Sequence, residues 1–324
     1  MIWEKQERTK VTVHPASEAP RRAEDSPSNL RSDHSAMNSG IEDKSQFWPG
    51  GRVGVLLIHG LGGTPVELRF VAQALARAGN TVYCCQLAGH AGTPEELRRS
   101  TWQEWYASVE EAHDKLKEHC DVVVAGGLSM GGILALYLAQ NRPDEVQGLL
   151  LFAPTLKLDG WSMPWHSIIL QYVRPLPIKL EIDLAEREPF GIKDERVRRI
   201  VVSAMQGGDS GAAGVFSTPV RSFGHFNALV AAVKPSLSKV KQPALIVHPR
   251  EDDMASLKNA QYLQANLGGL VESLILDDSY HIVTLDQQRH IVADRAERFT
   301  SWVGAQGAAA QGGAGRAARG AAAE

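Results

Sequence analysis

The residues best able to do chemistry in this chain are a serine, a small group of acids and a histidine. Ser129 sits in Gly127-Leu-Ser129-Met-Gly131, between a β-branched run that begins at Val122 and an apolar helix former that begins at Ile133. The chain must reverse there from a strand into a helix within a few residues. Glycines at 127 and 131 leave room where the two backbones come close. A serine at such a corner has its hydroxyl lifted clear of the sheet, beside the unpaired N–H groups of a helix start, where negative charge is favoured. A serine hydroxyl is still a weak nucleophile. It needs a base within hydrogen-bond reach, and the base needs a third group to fix its tautomer. In open parallel sheets such groups collect at the carboxyl ends of strands. Past the apolar run 244–248 lies Pro249-Arg-Glu-Asp-Asp253, where Asp252 and Asp253 qualify as the acid and Glu251 is third. Past the run 271–276 a polar loop carries His281. The expected constellation places the His281 imidazole against both the Ser129 hydroxyl and a carboxylate from 252 or its neighbour.

Those residues must be held by a framework, and the apolar pattern supplies one. Buried strands are expected at 53–58, 81–85, 121–125, 147–153, 244–248 and 271–276. Helices are expected at 65–78, from Thr101 with a capping box to Glu104, after Ser129, at 256–264 and at 287–303. Residues 86–94 read as a loop. Alternating strands and helices imply parallel strands joined by right-handed crossovers. The fold class is α/β: a mostly parallel, doubly wound sheet. The alternation breaks between about Pro154 and Pro235, a stretch with Trp161, Trp165, an amphipathic piece at 195–205 and a flexible glycine-rich loop at 207–214. It reads as an inserted helical cap over the strand ends. The expected organisation is a disordered arm at 1–48, core at 49–154, cap at 155–236, core at 237–303 and a low-complexity, disordered tail at 304–324.

Composition narrows the function classes. With 324 residues and 44% hydrophobic content, one sizeable core is possible. A net charge of −3, from 34 basic and 37 acidic residues, gives no basic excess for nucleic acid. Three cysteines, two adjacent at 84 and 85, make no disulfide framework and read as buried, inert thiols in a reduced compartment. The N-terminus lacks the apolar stretch of a signal peptide, and no apolar run reaches the roughly 18 residues that span a bilayer. A cytoplasmic protein without stable membrane insertion is expected, as a monomer or homodimer. No His/Cys/Asp grouping has metal-ligand spacing, and Gly60-Leu-Gly62 lacks the third glycine of a dinucleotide fingerprint. No cofactor and no metal are expected.

The chain resembles an α/β-hydrolase, and more narrowly the bacterial carboxylesterases and monoacylglycerol lipases with a small cap. The resemblance rests on His59-Gly-Leu-Gly62, Gly89-His90, Gly127-Leu-Ser-Met-Gly-Gly132, Arg250-Glu-Asp252 and Ser279-Tyr-His281-Ile-Val-Thr-Leu-Asp286. It implies Ser129 as nucleophile, His281 as general base and then acid, and Asp252 as the orienting carboxylate. It also implies an oxyanion hole from the backbone N–H groups of Leu61 and Met130. The chain has Pro249 and Tyr280 where relatives usually carry glycine. His59, which is expected to hold the glycine turn, and Gly60, Trp161, Trp165 and Tyr280 are the candidate substrate contacts. Phe216, Phe223, Phe226 and His225 read as cap core. The expected activity is hydrolysis of carboxylic esters, of short- to medium-chain acyl or aromatic type with monoacylglycerols among the candidates, through an acyl-serine. The same triad would also serve an amide, carbamate or thioester, and a non-catalytic ligand-binding protein is the remaining alternative.

Overall fold

Along the central strands, successive side chains enter opposite apolar layers, as a period of two requires. The computed structural model describes residues 41–163, 173, 182–208 and 210–321. Expectations placed on residues 1–40, on Trp165 and on 322–324 lie outside them. The strands are β1 (Gln46–Trp48), β2 (Val53–Ile58), β3 (Thr81–Cys85), β4 (Val122–Leu128), β5 (Gly148–Phe152), β6 (Asp183–Ala185), β7 (Ser217–Pro219), β8 (Ala244–Pro249) and β9 (Val271–Leu276). The helices are α1 (Arg69–Arg77), α2 (Pro94–Arg99), α3 (Trp102–Lys117), α4 (Met130–Asn141), α5 (Glu195–Gln206), α6 (Ser210–Ala213), α7 (Val220–Val233), α8 (Lys258–Asn266) and α9 (Arg289–Ala321).

Seven strands form one sheet in the order β1-β3-β2-β4-β5-β8-β9. All neighbours pair in parallel except β1, which runs antiparallel to β3. Leu56 and Ile58 of β2, Val123 and Ala125 of β4, and Ile246 of β8 join one layer with Trp105, Val109 and Leu116 of α3 and Ile133 and Leu134 of α4. Val55, Leu57, Val124, Leu245 and Val247 join the other with Val71 and Leu75 of α1 and Val292, Ala296 and Phe299 of α9. Helices therefore cover both faces, and burial of such side chains, at roughly 1.5–3 kcal/mol each, holds the sheet. All three cysteines are buried and unpaired. Burial raises the Cys84 thiol well above its ordinary value and pushes Cys85 up to about 12.

The chain leaves β2 for β3 on one side and then returns to β4 on the other. Loops after β2 and β4 therefore part in opposite directions at the sheet's carboxyl edge, which opens a crevice there.

Several boundaries differ from the sequence reading. Residues 41–48 were expected in a disordered arm, yet β1 pairs Gln46 to Trp48 with β3, and the Gln86 N–H donates to Ser45 Oγ at 2.9 Å. A three-residue edge strand is too short to show periodicity. Helix α2 begins at the last residue of the loop read at 86–94 and runs through residues to which no element was assigned. Its Thr93/Glu96 capping box, with proline at the first turn, is the same device as the expected Thr101/Glu104 box of α3. Helix α6 occupies part of the glycine-rich loop. Helix α9 continues past Val303 to Ala321, where disorder was expected. A Cβ at Gly304 would stand 2.8 Å from Val53 Cγ2, so this glycine marks a close approach to the sheet and not the start of a tail.

In the interrupted region β6 and β7 pair antiparallel as a separate two-stranded sheet, Asp183 opposite Pro219. Phe226, Leu229, Val230 and Val233 of α7 belong to the same apolar layer as α3 and α4, so the inserted segment rejoins the main core before residue 236.

Candidate active site

Ser129 is built by the collision between β4 and α4. Its backbone has φ 55° and ψ −116°, a left-handed conformation for a non-glycine residue. Such positions cost on the order of 1–3 kcal/mol and persist only where the surroundings fix them. Here a Cβ at Gly127 or Gly131 would strike the carbonyl oxygen of Ile58. Only glycine lets β2, β4 and α4 approach so closely. The Ser129 N–H donates to Phe152 O at 2.9 Å, which pins the corner to β5.

Asp252 and His281 lie just past the ends of β8 and β9. His281 Nδ1 lies 2.9 Å from Asp252 Oδ2 and 3.0 Å from Oδ1, and both residues are buried. Asp252 Oδ1 also accepts the N–H groups of Met254 at 2.9 Å and Ala255 at 2.7 Å. Asp253 has a different task. Its Oδ1 accepts the backbone N–H of His281 at 3.1 Å and its Oδ2 that of Gly191 at 3.0 Å. One acid thus faces the ring and its neighbour holds the loop that carries the ring. Glu251 faces away, toward Lys193 Nζ at 3.4 Å.

The electrostatics follow from this packing. Burial would lower the His281 imidazole, but the Asp252 carboxylate against it, with Asp253 and Glu67 adding, carries it above its ordinary value. Burial would raise Asp252, yet the imidazoles of His281 and His248 and the Ala255 N–H hold it below the usual carboxylate range. Asp253 moves the other way, raised by burial.

Ser129 and His281 line one cleft together with Gly60, Leu61 and Met130. The expected hydroxyl–imidazole bond is not formed. The Ser129 hydroxyl donates to Thr155 Oγ1 at 3.1 Å, and Thr155 donates in turn to Ala153 O. His281 Nε2 is buried without a hydrogen-bond partner among the described residues. A long or misaligned catalytic bond is common in sites without substrate. Met130 opens α4, where backbone N–H groups lack helical partners.

The remaining expected contacts divide. Gly60 lines the cleft. His59 is fully buried behind it: Nδ1 donates to Gly60 O at 2.9 Å and Nε2 accepts the Leu87 N–H at 3.1 Å. It ties the first glycine loop to the loop after β3. Trp161 and Tyr280 were expected against substrate but do not line the cleft; they meet edge to face with ring centroids 5.5 Å apart. Trp161 is 60% exposed and its indole N–H is held by Glu251 O. Both rings are thus turned outward. Phe223 and Phe226, read as cap core, do line the cleft, as does Thr155.

Sequence reasoning missed two cleft acids, Glu67 and Glu186. Burial pushes each up to about 7, against the Gly60 and Thr64 N–H groups at Glu67 and the Thr218 hydroxyl at Glu186. It also missed Asp286, whose buried carboxylate accepts the N–H groups of Lys193, Asp194 and Tyr280 and so ties the His281 loop to the start of α5. The fold further gathers His113, Asp114 and Glu145, but the Arg142 guanidinium already bonds Asp114 at 2.7 Å.

A family model described as serine aminopeptidase, S33, matches residues 52–288. The thermostable monoacylglycerol lipase of Bacillus sp. (strain H-257) is 32% identical over 253 residues, 77% of this chain and 90% of that relative. The chain belongs to this α/β-hydrolase family. A Bacillus subtilis (strain 168) carboxylesterase is 24% identical over 261 residues, covering 80% of this chain and 96% of the relative. Among solved structures, one from the LipS and LipT pair of metagenome-derived lipolytic enzymes superposes with a TM-score of 0.67 at 30% identity, covering 79% of this chain and 96% of its own. A soluble variant of monoglyceride lipase from Saccharomyces cerevisiae shares the fold at TM-score 0.67 and 18% identity, over 82% and 92% of the two chains. The protein is an esterase- and lipase-type α/β-hydrolase. No helix among its described residues is long and apolar enough to cross a membrane.

Proposed function

We propose that this hydrolase cleaves carboxylic esters through an acyl-serine intermediate, with Ser129, His281 and Asp252 as its triad. The observation that carries the reading is the buried Asp252–His281 pair, whose free Nε2 lines the same cleft as Ser129. For reaction the hydroxyl turns from Thr155 to Nε2. Nε2 accepts the serine proton as Oγ attacks the acyl carbonyl. The Leu61 and Met130 N–H groups hold the oxyanion, each such donor contributing about 2.7–4 kcal/mol. His281 gives its proton to the departing alkoxide, then takes one from water as the hydroxide attacks the acyl-serine, and returns it to Ser129 Oγ as the acid leaves.

Phe190, Phe223, Phe226, Val215 and Leu158 give the cleft an apolar wall suited to a short or medium acyl chain or an aromatic group. The similarity to a monoacylglycerol lipase adds monoacylglycerols to the candidates. The elements from β6 to α6 act as the cap over this wall, in a cytoplasmic protein that works as a monomer or homodimer. The test is Ser129→Ala: hydrolysis of p-nitrophenyl butyrate is lost while the circular dichroism spectrum stays native. Full retained turnover refutes the assignment, and a panel of matched ester, amide and thioester substrates fixes the bond.

A further inference from the structure

The cleft contains more charge than ester cleavage needs. Glu67 and Glu186 both line it, as does the Gly60–Gly63 loop that supplies Leu61. Glu67 reaches back from the first helical turn after that loop. Its Oε2 lies 3.4 Å from the Gly60 nitrogen, and a Cβ at Gly63 would strike its carboxylate. Gly63 therefore leaves the space that the carboxylate fills. Glu186 follows β6, and its Oε1 accepts the Thr218 hydroxyl at 3.3 Å, while a Cβ at Gly62 would lie 3.1 Å from the same Thr218 oxygen. Each carboxylate has only long, neutral hydrogen bonds, and neither has an ion pair among the described residues. Among the described residues no lysine or arginine lines the cleft, and the imidazole of His281 interacts with both acids. Further charge nearby is acidic: Glu186 faces Asp253, and Glu67 faces Glu186.

Two carboxylates turned into an apolar cleft, with no lysine or arginine against them among the described residues, are costly to ionise. A substrate that brings a positive charge removes that cost. The aromatic faces of Phe190, Phe223 and Phe226 on the same cleft add the ring quadrupoles that attract ammonium groups. The buried, unpartnered Nε2 of His281 marks the cleft as the place where a ligand is expected.

Resting on the esterase reading of this cleft, we infer that Glu67 and Glu186 form a cation subsite, so that the enzyme favours esters carrying an ammonium group over neutral esters of the same shape. An anionic ester, carrying a distal carboxylate or phosphate, is excluded by the same two groups.

The test uses isosteric pairs, one for each side of the scissile bond. Choline butyrate is compared with 3,3-dimethylbutyl butyrate, and the p-nitrophenyl ester of 6-aminohexanoate with that of heptanoate. In the unaltered protein at pH 8 at least one pair is expected to show kcat/KM about tenfold or more higher for the cation, the scale of one charge pair at an effective dielectric near 20 after desolvation. In Glu67→Gln/Glu186→Gln that ratio is expected to fall to about one. Because the ratio is taken within each protein, partial loss of folded enzyme cancels. Ratios near or below one in both pairs of the unaltered protein overturn the inference, as does a cation preference that survives in the double variant. Loss of all hydrolysis, neutral esters included, with no fluorophosphonate labelling of Ser129 would instead overturn the esterase reading itself.

Discussion

Replacing Asp252 by asparagine separates the roles of two adjacent acids. The two oxygens of Asp252 do different work. Oδ1 accepts the Met254 and Ala255 N–H groups, and Oδ2 is the nearer to His281 Nδ1, at 2.9 Å. Asparagine keeps both backbone bonds by placing its carbonyl at Oδ1. Its NH2 then faces Nδ1, which must accept and so cannot carry the proton. The imidazole proton moves to Nε2, and Nε2 no longer accepts from Ser129. In a Ser–His–Asp site this wrong tautomer lowers kcat by about 10⁴, roughly 5.4 kcal/mol at 1.36 kcal/mol per decade. Asp253→Asn leaves the tautomer alone. It deprives either His281 N–H or Gly191 N–H of its acceptor, at a cost in stability of about 1–3 kcal/mol, with kcat lowered by about tenfold through a looser loop. Steady-state hydrolysis of p-nitrophenyl butyrate, with urea unfolding in parallel, reads both effects. Asp253→Asn as inactive as Asp252→Asn, at equal folded fraction, would refute the division of labour.

The pH dependence follows from His281. Its folded value lies above the ordinary 6.5, so kcat/KM is expected to fall with acid through an apparent pKa above 6.5, as the protonated ring cannot accept from Ser129. For stability the raised His281 has the opposite sign: its contribution is present below 6.5 and is lost as pH rises through the raised value, while that of the lowered Asp252 is lost in acid as its carboxylate is protonated. A midpoint below 6.5 in the rate profile would contradict this. Glu67 and Glu186 are raised from 4.5 to about 7, so the folded protein binds more protons than the unfolded one in that window and loses stability as pH rises through it. The Glu67→Gln/Glu186→Gln protein should gain Tm relative to the unaltered one at pH 8 and not at pH 5; equal differences at both would contradict the burial of these groups. Gly131→Ala places a methyl group against the Ile58 carbonyl and should cost about 3 kcal/mol or more in urea unfolding. A change under about 0.5 kcal/mol would mean that the corner is looser than described.

The parts of the site that could be read from sequence are those fixed by local chain geometry. A strand, a glycine-flanked serine and a helix within a dozen residues leave one way to place Ser129, and His281 and the acid turn follow strands in the expected order. The choice between Asp252 and Asp253 was not legible, because adjacent side chains diverge according to the turn, and here the N–H groups of Met254 and Ala255 aim Asp252 at the ring. Glu67 falls between the apolar positions of the helix expected at 65–78, and only the fold turns it beneath the glycine loop. Glu186 lies beside a three-residue strand with no periodic signal. Trp161 and Tyr280 misled by type, since large aromatic rings suggest a pocket wall, whereas they meet outside the cleft. The Thr93 to Glu96 box and Gly304 carried readable signals, a cap at the end of the stretch read as a loop and a close approach at the start of the stretch read as a tail.

The central claim is a covalent bond between substrate and Ser129. Rapid acid quench of the enzyme turning over p-nitrophenyl butyrate, followed by mass analysis of the intact chain and its peptides, tests it directly. The account predicts a single butyryl adduct on the peptide that carries Ser129, absent in Ser129→Ala and much reduced in His281→Ala. Hydrolysis that continues in Ser129→Ala, or an adduct mapped to another residue, would contradict it.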